Sequence, residues 1–66
     1  MTDLKINYTR LDKRLTNSGV SVTLDSYPTD RGVWYKVDAY HPPSKWHSFK
    51  NYRSKAQAVK AFNKFN

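Results

Sequence analysis

The sequence predicts an α+β fold: a three-stranded antiparallel sheet with a C-terminal helix packed across one face, preceded by a short N-terminal helix. Three observations carry that expectation. Residues 20–25 and 33–40 alternate apolar and polar side chains, the pattern of half-buried strands. Residues 28–32 and 41–44 are turn chemistry set between apolar runs, which favours a meander. Residues 54–65 open on a capping serine and then gather their apolar side chains on one helical side.

Residues 1–18 carry two periodicities. Leu4, Ile6 and Tyr8 alternate as in a strand, whereas Leu4, Tyr8, Leu11 and Leu15 recur at helical spacing. The second pattern is longer, so a short helix is expected over part of 4–15. Asp3 caps it, and Arg10, Lys13 and Arg14 fall mostly on its wet side. Gly19 after Asn17-Ser18 suits the left-handed position that ends a helix. Three roles stay open for this segment: completing the core, adding a strand at the sheet edge, or reaching along a groove as a basic arm.

The first strand places Val20, Val22 and Leu24 inward and Ser21, Thr23 and Asp25 outward. Pro28-Thr29-Asp30-Arg31-Gly32 reverses the chain: Pro fixes φ, Asp bonds nearby backbone and Gly permits positive φ. In the second strand Val33, Tyr35, Val37 and Ala39 face one way, and Trp34, Lys36, Asp38 and Tyr40 the other. His41-Pro42-Pro43-Ser44 stops it, because neither proline donates to a ladder. A third strand runs from Lys45 to about Asn51. Ser54 then caps the last helix, with Gln57 three residues on. Ala58, Val59, Phe62 and Phe65 form its apolar side, and Gln57, Lys60 and Lys64 its wet side. That stripe needs a partner, and the sheet supplies it.

The whole chain, 1–66, reads as one small domain: an N-terminal segment 1–18, a meander 20–52 and a helix 54–65. So short a chain buries only about 60% of its unfolded surface, so its stability is marginal. There is no cysteine, so no disulfide reinforces it. His41 and His47 lack well-placed carboxylate neighbours in sequence and make a poor metal site. No metal and no cofactor is expected. No apolar run is long enough for a signal peptide or a membrane span. The expected location is the cytoplasm, with the nucleoid if the partner is DNA.

Charge is the most informative feature. The first 38 residues carry six basic and five acidic side chains, and the last 28 carry six basic and none acidic. Cations without local carboxylates direct their field outward, toward a polyanion. Tyr40, Trp46, His47, Phe49 and Tyr52 lie among those cations, a mixture suited to phosphate contact with stacking.

Tyr52-Arg53-Ser54-Lys55-Ala56-Gln57-Ala58-Val59-Lys60-Ala61-Phe62 follows an aromatic, capping Ser, Gln, Ala, Ala and large apolar spacing, and Gly32-Val33-Trp34 a Gly-x-Trp strand start. Together they resemble the AP2-like amino-terminal arm-binding domain of phage and transposon tyrosine integrases, over roughly residues 20–65. The resemblance implies that the sheet face meets the DNA major groove. It places Lys36 on the second strand, Lys45 and Lys50 flanking the third, and Trp34 and Trp46 as aromatic neighbours. The chain departs from the family at Asn51, where a glycine is usual, and at the proline-rich 41–44 turn. Asp38 sets a negative charge on the expected DNA face. With no recombinase domain following, the resemblance implies a phage-like accessory or regulatory protein.

If residues 4–15 are helical, the order α-β-β-β-α also resembles double-stranded RNA-binding domains. Those aim a lysine cluster at the start of the last helix across the RNA groove, and Arg53, Lys55 and Lys60 stand in that region.

The expected function is non-enzymatic nucleic-acid binding, with duplex DNA first. Trp34, Lys36, Tyr40, Lys45, Trp46 and Lys50 are the expected sheet-face residues, with Arg53 and Lys55 holding flanking phosphates at the helix start. Large rings in so small a chain are more often core, and Tyr35 and Phe49 read that way. Tyr52 reads as an anchor for the helix, and Lys60 and Lys64 as a solvated face. Catalysis has little to support it: there is no cysteine, no glutamate and no Gly-rich phosphate loop. The alternative is a module that covers an acidic protein surface, since Trp, Tyr and Arg are the usual interface anchors.

Overall fold

The computed structural model describes residues 7–65, in the order β1 (Thr9–Leu15), β2 (Ser21–Thr29), β3 (Gly32–His41), β4 (Trp46–Tyr52) and α1 (Lys55–Lys64). The four strands form one antiparallel sheet in the order β1-β2-β3-β4. The α+β class and the C-terminal helix are as the sequence suggests. The expectation of three strands is overturned: the sheet has four.

The core follows from the alternation in β2 and β3. Val22 pairs with Ala39 and Leu24 with Val37, so all four side chains point to one face. Ala58 and Phe62 of α1 close over them, and these six are the buried apolar residues among those described. Val20, Tyr35, Tyr52, Val59, Ala61 and Phe65 pack around that centre. The helix begins as its sequence dictates. The backbone N–H of Gln57 donates to Ser54 Oγ at 3.4 Å, and that of Ala58 to the Ser54 carbonyl at 3.1 Å. The helix lies over β2, β3 and β4, and β1 extends beyond its cover.

The short helix expected over 4–15 is a strand across Thr9–Leu15, and its Asp3 cap lies outside the described residues. The helical leucine spacing is not a core stripe, for Leu11 and Leu15 are exposed. The competing interaction is backbone pairing. In a three-stranded sheet β2 would present an edge of unpaired N–H and C=O groups. The ladder from Thr9↔Ser26 to Leu15↔Ser21 satisfies them. A bulge between Arg10 and Asp12 leaves Leu11 as the extra residue. Beyond it Arg14 turns to the helix side, its guanidinium 5.5 Å from the Phe62 ring centre. The α-β-β-β-α order, and the RNA-binding resemblance built on it, falls with this strand.

Gly19 does adopt positive φ, at 85°, but in a hairpin turn instead of a helix cap. Thr16 closes that turn: its N–H donates to the Val20 carbonyl at 2.9 Å, and its Oγ1 accepts from Val20 N–H at 3.0 Å. The β3–β4 turn at Pro42–Lys45 puts Lys45 at φ 58°, a left-handed conformation without glycine. No helix among the described residues is long and apolar enough to cross a membrane.

Candidate nucleic-acid interface

The helix covers one face of the sheet. Strand register decides what the other presents. On β3 the alternates to the core residues are Trp34, Lys36, Asp38 and Tyr40. Their partners on the same face are Tyr27, Asp25, Thr23 and Ser21 of β2, then Asn51, Phe49 and His47 of β4. Arg10 joins the face opposite Asp25. Tyr8, just before β1, extends it, with its ring 5.3 Å from that of Tyr27.

Two cations on this face, Arg10 and Lys36, are held in ion pairs, and Lys13, opposite Thr23, is exposed. Arg10 Nε is 2.6 Å from Asp25 Oδ1, and burial of that carboxylate makes the pair specific in position. Lys36 Nζ lies 3.7 Å from Asp38 Oδ2, 4.8 Å from the Phe49 ring centre and 5.3 Å from that of Tyr8. Its side chain is only 22% exposed. Lys36 therefore ties β3 to rings on both sides. Asp38 also meets His47 Nε2 at 2.6 Å, and His47 packs edge-on to Tyr40 with ring centres 6.1 Å apart. Tyr27 donates its hydroxyl to Asn51 Oδ1 at 2.8 Å. Burial, with a smaller effect from Tyr8, pushes the Tyr27 phenol above its ordinary pKa. Arg10, Ser21, Thr23, Asp38, Tyr40 and His47 line a shallow trough on this face.

The expected site residues divide between two faces. Trp34, Lys36 and Tyr40 lie together on the helix-free face. Arg53 joins them, its guanidinium 5.3 Å from the Trp34 ring centre. Lys55 is exposed at the first position of α1 and Lys45 is exposed in the β3–β4 turn. Trp46 and Lys50 do not belong with them. Trp46 pairs with His41 and Lys50 with Val37, so both point to the helix side of β4. Lys50 Nζ sits there, 5.5 Å from the Tyr52 ring centre. One face was expected to hold all six sheet residues. The two-residue period of β4 forbids it, since Trp46 and Lys50 share parity with Tyr52, which packs on the core.

The expected site left out Tyr8, Arg10, Tyr27, His47, Phe49 and Asn51, although His47 and Phe49 stand among the rings interleaved with cations in the sequence. Phe49, read as core, is 57% exposed. Its parity with His47 and Asn51, opposite to Tyr52, was the available signal. Arg10 and Tyr8 reach the face only once β1 is a strand, the edge-strand role left open for residues 1–18.

Charge is thereby distributed unequally. The helix-free face holds Arg10, Lys13, Lys36 and Arg53 against Asp25 and Asp38, whereas the helix and the helix side of β4 hold Lys50, Lys55, Lys60 and Lys64. The helix-free face is a ring array stiffened by local ion pairs. The unneutralised charge lies mainly around and behind it. Among the described residues no group of three or more His, Cys, Asp or Glu side chains could hold a metal ion. No family model, curated protein or solved structure matches the chain.

Proposed function

We propose that the protein is a small non-enzymatic nucleic-acid-binding protein whose ligand is duplex DNA, acting as an accessory or regulatory factor of the phage type. One observation carries the reading. The sheet face left free by the helix bears Tyr8, Tyr27, Trp34, Tyr40 and Phe49 interleaved with Arg10, Lys36 and Arg53. The chain that bears it has a formal charge of +7. Net positive charge draws the polyanion in, and rings and guanidinium groups then pack on sugars and bases.

Lysines outnumber arginines eight to four, which favours backbone attraction over base reading across most of the surface. With about five phosphates neutralised, log K falls against log salt with a slope of about −4 to −5. The test is a fluorescence titration of Trp46→Phe, in which Trp34 alone reports. Duplex DNA, single-stranded DNA and duplex RNA are each added at low and near-physiological salt. Salt-sensitive quenching by duplex DNA supports the reading, and a flat salt response or no binding ends it. A second reading, an acidic protein partner, draws on the pairing of Arg10 with Asp25 and Lys36 with Asp38. Rings framed by neutralised charges also suit a protein interface. A pull-down that survives nuclease treatment favours it.

A further inference from the structure

The strands of the sheet do not end together. β1 begins its pairing with β2 at Thr9↔Ser26, and β4 ends its pairing with β3 at Tyr35↔Tyr52. Among the described residues only β2 and β3 continue beyond Ser26 and Tyr35, through Tyr27↔Trp34, Pro28↔Val33 and Thr29↔Gly32. Asp30 and Arg31 close the loop. Three further residues per strand project about 10 Å past the four-stranded sheet. Every residue from Pro28 to Val33 is exposed.

This ribbon is braced at both ends. At the tip, Thr29 Oγ1 donates to the Gly32 carbonyl at 2.6 Å and accepts from Arg31 N–H at 3.2 Å. Gly32 takes φ 111°, which a side chain would resist. At the root, Arg53 covers Trp34, and Tyr27 is fixed by Asn51 and Tyr8.

We propose that this β2–β3 ribbon is the element that enters the DNA major groove, and that Arg31 and Asp30 at its tip read a G·C pair. The inference rests on the duplex-DNA reading above and specifies its geometry. Four strands set the outer axes about 14 Å apart before side chains are added. The major groove is about 12 Å wide and admits a two-stranded ribbon. The four-stranded part of the helix-free face is too broad to descend and stays against the sugars and phosphates, and its narrow end fits. The guanidinium of Arg31 has no ion pair or ring contact among the described residues. Arginine matches the O6 and N7 acceptors of guanine in two parallel hydrogen bonds, and a carboxylate accepts from the cytosine N4 amine. With one charge of each sign, the tip gains little from phosphates and most from base edges. Arg53, at the root, and Lys55 then stand at the groove's lip, where phosphates lie.

The test is selection from a randomised duplex pool with the wild-type chain, followed by titration of the selected site. Comparison duplexes carry A·T in place of the key G·C pair, or 7-deazaguanine, which lacks the N7 acceptor. The wild type favours the G·C duplex over both, by about 10- to 100-fold over A·T. Arg31→Ala binds all three alike, with the salt slope reduced by no more than about one, and Arg31→Lys does not restore the preference. If Arg31→Ala keeps the wild-type preference, or the wild type selects no sequence, the ribbon inference fails and DNA binding stands. If the wild type binds no duplex even at low salt, both fail. The far-UV circular dichroism of Arg31→Ala matches the wild type, because Arg31 touches nothing in the core.

Discussion

The guanidinium of Arg53 lies 5.3 Å from the ring centre of Trp34. It links the residue before the helix cap to the root of the β2–β3 ribbon. In a Trp46→Phe background, Arg53→Ala shifts Trp34 emission to the red and lowers stability by about 0.5–1 kcal/mol. Emission spectra and urea titration read both, and an unmoved emission maximum would show that the pair does not form.

Asp38 restrains two side chains, accepting from His47 Nε2 at 2.6 Å and lying 3.7 Å from Lys36 Nζ. Asp38→Asn removes a carboxylate from the face proposed to meet DNA and releases Lys36. Duplex DNA binds this variant more tightly than the wild type at low salt, and its salt slope steepens by about one. Folding stability changes by no more than about 1 kcal/mol, as for partly exposed ion pairs. Weaker DNA binding by Asp38→Asn would place the ligand elsewhere.

Tyr27 holds its proton above the ordinary phenol value near 10.0 because burial disfavours the phenolate, with Tyr8 adding to the effect. Its pKa is higher folded than unfolded, so its contribution is fully present below about pH 10 and is lost as pH rises through the folded value. Between pH 8 and 11 the urea midpoint of the wild type falls more than that of Tyr27→Phe. Equal falls would remove Tyr27 as the cause.

Lys45 occupies φ 58° at the β3–β4 turn. Left-handed backbone costs a non-glycine residue about 1–2 kcal/mol, and glycine's extra unfolded entropy offsets about 0.5–1 of that. Lys45→Gly therefore stabilises the fold by up to about 1 kcal/mol, measured by urea midpoint, while removing one exposed cation. A lowered midpoint would mean that the lysine side chain itself supports the turn.

Much of the fold was legible because local rules agreed with the global arrangement. Alternation in Val20–Leu24 and Val33–Ala39 fixed both the strands and their inward face, and Ser54 with Ala58 and Phe62 fixed the helix. The N-terminal segment was illegible for a physical reason. Leu4, Tyr8, Leu11 and Leu15 satisfy a helical period, whereas what decides the matter is the open edge of β2, which lies outside the segment's own sequence. The same event hid Arg10 and Tyr8 from the candidate site. Trp46 and Lys50 were misplaced for a different reason. Their composition matches the sheet-face residues, and strand parity, fixed by Tyr52 against the core, sends them to the other side.

Because α1 lies over β2, β3 and β4 and leaves β1 beyond its cover, the molecule does not open all at once. The backbone amides of β1 rest on one ladder, the Arg10–Asp25 pair and Arg14 over Phe62, so they exchange with deuterium first. Those of Val22, Leu24 and Val37 wait for global unfolding. Each lifting of β1 carries Arg10 and Tyr8 away, leaving Asp25 without its guanidinium and Lys36 without one of its two rings. The character of the helix-free face thus varies in time with the fraying of its outermost strand. Amide exchange rates of Thr9–Leu15 measure how often that face is incomplete.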